Sequence, residues 1–211
     1  MDNCRAVVMK KHPVVRKPDN SSISLVKETK SLAKQDDSDG SNSRRSIRIM
    51  GIDPGVATLG WGVIDVRFAP RMKLTVCEYG VITTPKEMAH PKRLVELKTD
   101  VSQILTEFSP DLVTVERLFF CRNQKTAIAV GEARGVVMLA LGEVDVEMSE
   151  YTPLQVKSAV CGSGKASKRE VQDVVQSLLA LKERPRPDDA ADALALAICA
   201  AQERYFQVIS H

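Results

Sequence analysis

Histidine is scarce in this chain of 211 residues, with only His12, His90 and His211. That argues against a histidine-based metal site and against a Ser-His-Asp triad. The five cysteines, Cys4, Cys77, Cys121, Cys161 and Cys199, include no C-x-x-C pair and have no histidine at zinc spacing. A scattered, odd-numbered set reads as free thiols in a reducing compartment, not as a disulfide framework or structural zinc. No apolar run approaches the ~20 residues of a membrane span, and no apolar stretch near the N-terminus has the form of a secretory signal. The expectation is a cytoplasmic protein with no membrane association. A strongly basic surface is also missing once the chain is divided. Residues 1–48 hold 11 Lys/Arg against 6 Asp/Glu, a net of +5, whereas residues 49–211 hold 19 against 21, a net of −2. Bulk charge therefore gives no reason to expect nucleic-acid binding.

Residues 1–46 are polar, with runs such as Gln35-Asp36-Asp37-Ser38-Asp39-Gly40, and show no sustained apolar period. Such a composition cannot bury enough surface to offset ordering entropy, so a disordered N-terminal extension is expected. Its acids argue against an organelle transit peptide. A functional start near Met50 is a second reading. Residues 47–205 are expected to form one domain, with 206–211 as a tail.

Within that domain the chain alternates between strands and helices. Strands are expected at 47–53, 61–66 and 73–82, joined by short turns as an antiparallel meander. A helix follows at 91–108, with Leu94, Leu97, Val101, Ile104, Leu105 and Phe108 at helical spacing. A β-branched strand at 111–116, a helix at 124–141, a short strand at 144–148 and helices at 153–160, 168–181 and 188–203 complete the series. Three strands followed by strand–helix alternation predict a mixed sheet with helices packed on it, an α/β layered domain.

Four carboxylates stand out. Asp53 ends the apolar run of the first strand and Glu116 ends that of the fourth. Asp189 and Asp192 sit three apart and share a helix face. Magnesium prefers oxygen ligands, and two such ions about 4 Å apart can drive an in-line phosphodiester displacement. Strand ends and a helix's first turn are rigid places from which to supply the ligands. Taken singly, each acid also has a plain structural reading. Asp53-Pro54-Gly55 could be a turn, Glu116 an exposed charge, and Asp188 or Asp189 a helix N-cap. Asp188 is expected to cap, leaving Asp189 for the metal. Asp192 lies within an alanine- and leucine-rich helix that reads as buried, where a carboxylate needs a partner or a metal. Two divalent cations would shift the local charge by +4 and turn the domain's −2 into +2.

Basic residues cluster at Lys165, Lys168 and Arg169, around a helix start that favours phosphate, and at Arg117, Arg122 and Lys125 after Glu116. Gly162-Ser163-Gly164-Lys165-Ala166 suggests a phosphate loop, but Walker A requires Gly where this chain has Ala159 and Ser or Thr where it has Ala166.

The strings Gly51-Ile52-Asp53-Pro54-Gly55, Val115-Glu116-Arg117-Leu118-Phe119-Phe120, Gln155-Val156-Lys157 and Asp188-Asp189-Ala190-Ala191-Asp192-Ala193-Leu194 resemble the RuvC family of Holliday-junction resolvases, in the family's order. The resemblance implies a ribonuclease H-like fold, with a mixed five-stranded sheet and helices on both faces. It also implies a homodimer making paired, symmetric nicks in four-way junction DNA and leaving 5′-phosphate and 3′-hydroxyl ends. Asp53, Glu116, Asp189 and Asp192 fall on the family's metal-binding and catalytic acids, implying two Mg²⁺ per site, for which Mn²⁺ is expected to substitute. Lys157 and Lys168 match backbone-contacting positions, and Phe119 matches the aromatic placed against DNA, where stacking on an unpaired base contributes about 1–3 kcal/mol. Arg169, Arg122 and Lys125 are further DNA-contact candidates. A RuvA–RuvB branch-migration complex is the partner implied by resemblance alone. The alternatives are a related nuclease acting on structured RNA and a non-catalytic junction binder.

Overall fold

The computed structural model describes residues 7–8, 46–68, 71–117 and 124–209. Strands β2 (Ser46–Asp53), β3 (Thr58–Arg67) and β4 (Lys73–Thr83) form the expected antiparallel meander. Strands β5 (Leu112–Glu116) and β6 (Glu147–Tyr151) continue the sheet in parallel beyond β2. A two-residue strand, β1 (Val7–Val8), pairs in parallel with Gly80 and Val81 at the β4 edge, giving the order β1-β4-β3-β2-β5-β6. That pairing departs from the expectation of disorder throughout residues 1–46. Two adjacent β-branched residues in a polar segment suit a pleated edge. The rest of that segment, apart from Ser46, lies outside the described residues.

Helices α1 (His90–Phe108) and α2 (Gln124–Val144) cover one face of the sheet. Helices α3 (Pro153–Cys161), α4 (Lys168–Leu178) and α5 (Asp188–Ile209) cover the other. The faces follow from strand alternation. Met50, Ile52, Trp61, Val63, Val113 and Val115 join α1 and α2 in one core, whereas Ile49, Ile64, Val66 and Leu112 join α3, α4 and α5 in the other. Asp53 and Glu116, in step with Ile49 and Leu112, therefore end on the α5 side of their strands. Thr152 and Ser167 close capping boxes that start α3 and α4.

Several boundaries differ from expectation, and β3 already begins at Thr58. α2 runs on to Val144, Asp145 turns the chain with φ of 50°, and β6 is displaced to Glu147–Tyr151, where Tyr151 reaches the core. α4 stops at Leu178, followed by Ala180 with φ of 49°. α5 continues to Ile209, taking in residues expected as a tail. Its last turns are tied to the sheet by an ion pair from Arg204 to Glu147 of β6.

α5 lies directly on β2 and β3. Its residues Ala190, Ala191, Ala193, Leu194, Ala195, Ala197 and Ile198 are buried, and the small side chains keep the helix thin. Glycines opposite it on the strands do the same from below. Gly51 pairs with Gly62 across β2 and β3, and Gly60 pairs with Asp53.

Candidate active site

Asp53 is the last residue of β2 and Glu116 the last of β5, the strand paired in parallel beside it. Asp189 stands in the first turn of α5 and Asp192 one turn on. The α5 start rests on Gly60, the cross-strand neighbour of Asp53. The fold thus brings the four sequence-predicted acids to one end of the sheet.

Their carboxylates are electrostatically coupled. Burial pushes the Asp53 carboxyl up from its usual 3.8 to about 8, and the carboxylates of Glu116, Asp192 and Asp189 add to the rise. Burial also raises Glu116, with Asp192 contributing. Burial raises Asp192 in turn, against the opposing pull of Lys168. A cluster of acids that raise one another's proton affinity is short of positive charge.

Lys168, at the start of α4, supplies some of it. Its ammonium lies 2.9 Å from the Asp192 carboxylate and 3.6 Å from that of Asp188. Burial works against the Lys168 charge, but the hydrogen bond to Asp192 and the fields of Asp192, Asp188 and Asp189 leave its pKa raised. The Asp188 carboxylate also accepts a hydrogen bond from Gln172 Nε2 at 2.9 Å. Asp188 was expected to cap α5. Instead it belongs to the first turn, and its side chain is held by α4 rather than by its own backbone. No sequence signal pointed to Gln172, sixteen residues upstream.

Among the described residues, no three of the His, Cys, Asp and Glu side chains already close on one point at metal-ligand spacing. The chemistry of the donors nonetheless fits a hard divalent cation. All four are carboxylates, two at strand ends and two on a helix, and the charge they lack is what such an ion brings.

Lys157 is half-buried on α3, and Arg169 is exposed beside Lys168 on α4. Lys125 lies in α2, while Phe119 and Arg122 fall outside the described residues. Sequence reading missed one ionic cluster near Glu116. Glu150 of β6 pairs with Arg134 of α2, and Arg117 Nη2 lies 3.8 Å from the same carboxylate. The Arg117 backbone N–H also donates to the Tyr151 carbonyl at 2.9 Å, tying the residue after Glu116 to β6.

Comparison with known proteins agrees with this geometry. The family model described as "Crossover junction endodeoxyribonuclease RuvC" matches residues 49–200. A protein of that name from Thermomicrobium roseum is 48% identical over 161 residues, covering 76% of this chain and 93% of the relative. Another, from Alkaliphilus oremlandii, is 50% identical over 158 residues, covering 75% and 94%. Among solved structures, Thermus thermophilus RuvC superposes with a TM-score of 0.71 at 37% identity, covering 76% of this chain and 97% of that one. The same protein in complex with Holliday junction substrate gives 0.69 at 36% identity, covering 76% and 96%. The yeast mitochondrial Holliday junction resolvase Ydc2, at 14% identity and a TM-score of 0.52 over 81% of this chain and 88% of its own, shares the fold. With a family model spanning most of the chain and relatives near half identity, this protein belongs to the RuvC family of metal-dependent crossover junction endodeoxyribonucleases.

Proposed function

We propose that this chain resolves Holliday junctions in recombination and DNA repair by paired, symmetric, Mg²⁺-dependent nicks that leave 5′-phosphate and 3′-hydroxyl ends. The observation that carries the reading is the convergence of Asp53, Glu116, Asp189 and Asp192, with Asp53 raised to about 8 by burial and by the other three. Asp53, coupled to every other acid of the set, and Asp192 would be held in common by the cations, and Glu116 and Asp189 would complete the set and help orient the attacking water. Divalent cations bound there supply activation of that water and stabilisation of the leaving oxygen. Lys168 neutralises Asp192 and Asp188 at the edge of the site and can hold a backbone phosphate once the acids have another cation. Lys157, Arg169, Arg122 and Lys125 are proposed as further backbone contacts, and Phe119 as the stacking residue.

A homodimer is proposed on the exposed face of α2. Ile128 and Leu139 are 65% and 59% exposed, and Gly135 and Gly142, on the same face, have open space where a side chain would stand. A helix that presents large apolar residues between glycines can approach a second copy closely, and a two-fold pair would present two identical sites to a two-fold junction. A RuvA–RuvB type motor is proposed as the partner that moves junctions to cleavable positions. Residues 47 onward are proposed to carry the activity without the extension.

The test is cleavage of a synthetic mobile four-way junction by the full chain and by residues 47–211, in Mg²⁺, Mn²⁺ and EDTA, with linear duplex and structured RNA alongside. Ligatable symmetric nicks in the junction alone, in metal only, are expected. RNA cleavage, or junction binding without nicks in metal, would refute the reading.

A further inference from the structure

The four acids come from three separate elements, so their spacing depends on how deeply α5 sits on the sheet. Side chains ordinarily hold a helix off a strand. Beneath the start of α5 there are none. Gly51 and Gly60 lie on the same face as Asp53, one two residues before it on β2 and the other its cross-strand partner on β3. A Cβ on Gly60 would fall far inside contact with the Asp189 carbonyl and 3.1 Å from the Ala190 nitrogen. A Cβ on Gly51 would lie 2.9 Å from the Ala193 carbonyl carbon and 3.0 Å from the Ala197 nitrogen. These obstacles are helix backbone, which cannot rotate aside. Glycine within a strand marks such close approach of another backbone.

Gly62, the partner of Gly51, differs in kind. A Cβ there would meet Leu194 Cδ2 at 2.7 Å and Cγ at 2.8 Å, buried side-chain atoms, with helix backbone only at 3.4 Å. The strand pair therefore carries two glycines facing the helix backbone beside a catalytic acid, and one facing a core side chain.

We propose that Gly60 and Gly51 are positioning residues for phosphodiester cleavage. By lacking a Cβ they fix the depth of α5 on β2 and β3, and so set where Asp189 and Asp192 stand relative to Asp53. Gly60 governs Asp189, whose own carbonyl it supports, and Gly51 governs Asp192 through the carbonyl of the next residue, Ala193. The proposal rests on the reading of these acids as metal ligands.

In Gly60→Ala the first turn of α5 must rise by about 1 Å to restore ordinary contact, a displacement that costs on the order of 100-fold in rate at a preorganised site. The experiment compares Gly60→Ala, Gly51→Ala and Gly62→Ala in the full chain. It measures cleavage rate against Mg²⁺ concentration, junction affinity in EDTA, and Tm. For Gly60→Ala the expected result is about 100-fold slower cleavage, a higher half-saturating Mg²⁺ concentration, and junction affinity within about threefold of the parent. Gly62→Ala should lower Tm but keep the parent's Mg²⁺ dependence. Adding Asp189→Glu to Gly60→Ala lengthens the acid by one methylene, and should restore about tenfold of the lost rate by letting the carboxylate reach back. Parental Mg²⁺ dependence in Gly60→Ala, an equal defect in Gly62→Ala, absence of any rescue, or failure of both Gly60→Ala and Gly51→Ala to fold would overturn the proposal in favour of plain packing. An unmodified chain that shows no Mg²⁺-dependent cleavage would instead sink the underlying reading of the acids.

Discussion

Replacing Asp53 by Asn should stabilise the metal-free protein while abolishing its chemistry. A carboxyl whose folded-state pKa is raised binds protons more tightly folded than unfolded. Stability is then lost as pH climbs from the unfolded value toward the folded one. For Asp53 the window runs from 3.8 to about 8. At about 1.36 kcal/mol per pH unit the ceiling is near 6 kcal/mol above pH 8. The neighbouring carboxylates share that strain, and Lys168 and water relieve part of it, so about 2–3 kcal/mol is the working figure. For a domain of this size that corresponds to roughly 5–10 °C in Tm. Asn keeps the shape and removes the charge. In EDTA at pH 8.5, Asp53→Asn should therefore melt about 5–10 °C above the parent, and the gap should shrink to about a third at pH 5. Millimolar Mg²⁺ should reverse the order, because the parent gains a ligand that the variant binds poorly. Thermal melts of both proteins at the two pH values, with and without Mg²⁺, decide the matter. A gap absent at pH 8.5, or equal at both pH values, would mean that Asp53 carries no excess charge cost in the folded state.

Three other perturbations have separable outcomes. Glu116→Gln and Asp192→Asn, each alone, should lower junction cleavage by at least about 1,000-fold while junction binding in EDTA is kept or strengthened, since each keeps the shape and removes a charge that repels phosphate; retained cleavage in either would remove that acid from the site. Phe119→Ala should reduce cleavage more than binding to a pre-opened junction, with about 1–3 kcal/mol of stacking at stake; equal losses in the two assays would assign the ring to the core. Leu97→Ala, at a fully buried position on α1 away from the acids, should cost about 2–5 kcal/mol in denaturant melts yet leave the cleavage rate at 25 °C unchanged; a slowed rate with an intact fold would tie the α1 core to catalysis.

Much of this architecture could be read directly from residue order. Short apolar and β-branched runs between turns marked β2 through β5, and Ile49, Ile52, Val63, Val81, Val113 and Val115 are buried because the sheet is covered on both faces. The four acids were visible because Asp53 and Glu116 end apolar strands, Asp189 stands in the first turn of an apolar helix, and Asp192 interrupts that helix's alanine-rich face. What escaped the sequence was set by tertiary contact. Asp188 has the composition of an N-cap, but Gln172 and Lys168 take its carboxylate. β6 could not be placed correctly, because Val144 and Val146 suit either a helix end or a strand, and the register comes from pairing with β5. The Lys168–Asp192 ion pair joins residues with no local relation. The glycines beneath α5 were read as turn and strand residues, since nothing in Gly60-Trp61-Gly62 says which element will lie across it.

The local charge of the site links stability, metal and substrate. Residues 49–211 carry a net charge of −2, and four of their acids converge where a polyanion must approach. Without metal, the same carboxylates that raise one another's proton affinity also repel a phosphate. Lys168 is drawn inward to Asp192 and Asp188 and is not free for DNA. Two divalent cations held as proposed would change both conditions at once. The repulsion among the acids would fall, and Asp192, engaged as a ligand, would release the Lys168 ammonium toward the backbone. Junction affinity should then rise with Mg²⁺ even in an uncleavable substrate, and the gain should be smaller in Lys168→Gln than in the parent. Phosphate contacts are counterion-dependent. The slope of log affinity against log salt should therefore steepen by about one contact when metal is present, and by less in the variant. Equal slopes in Mg²⁺ and EDTA would separate the lysine from the metal. The acid cluster would then act on the scissile phosphate alone.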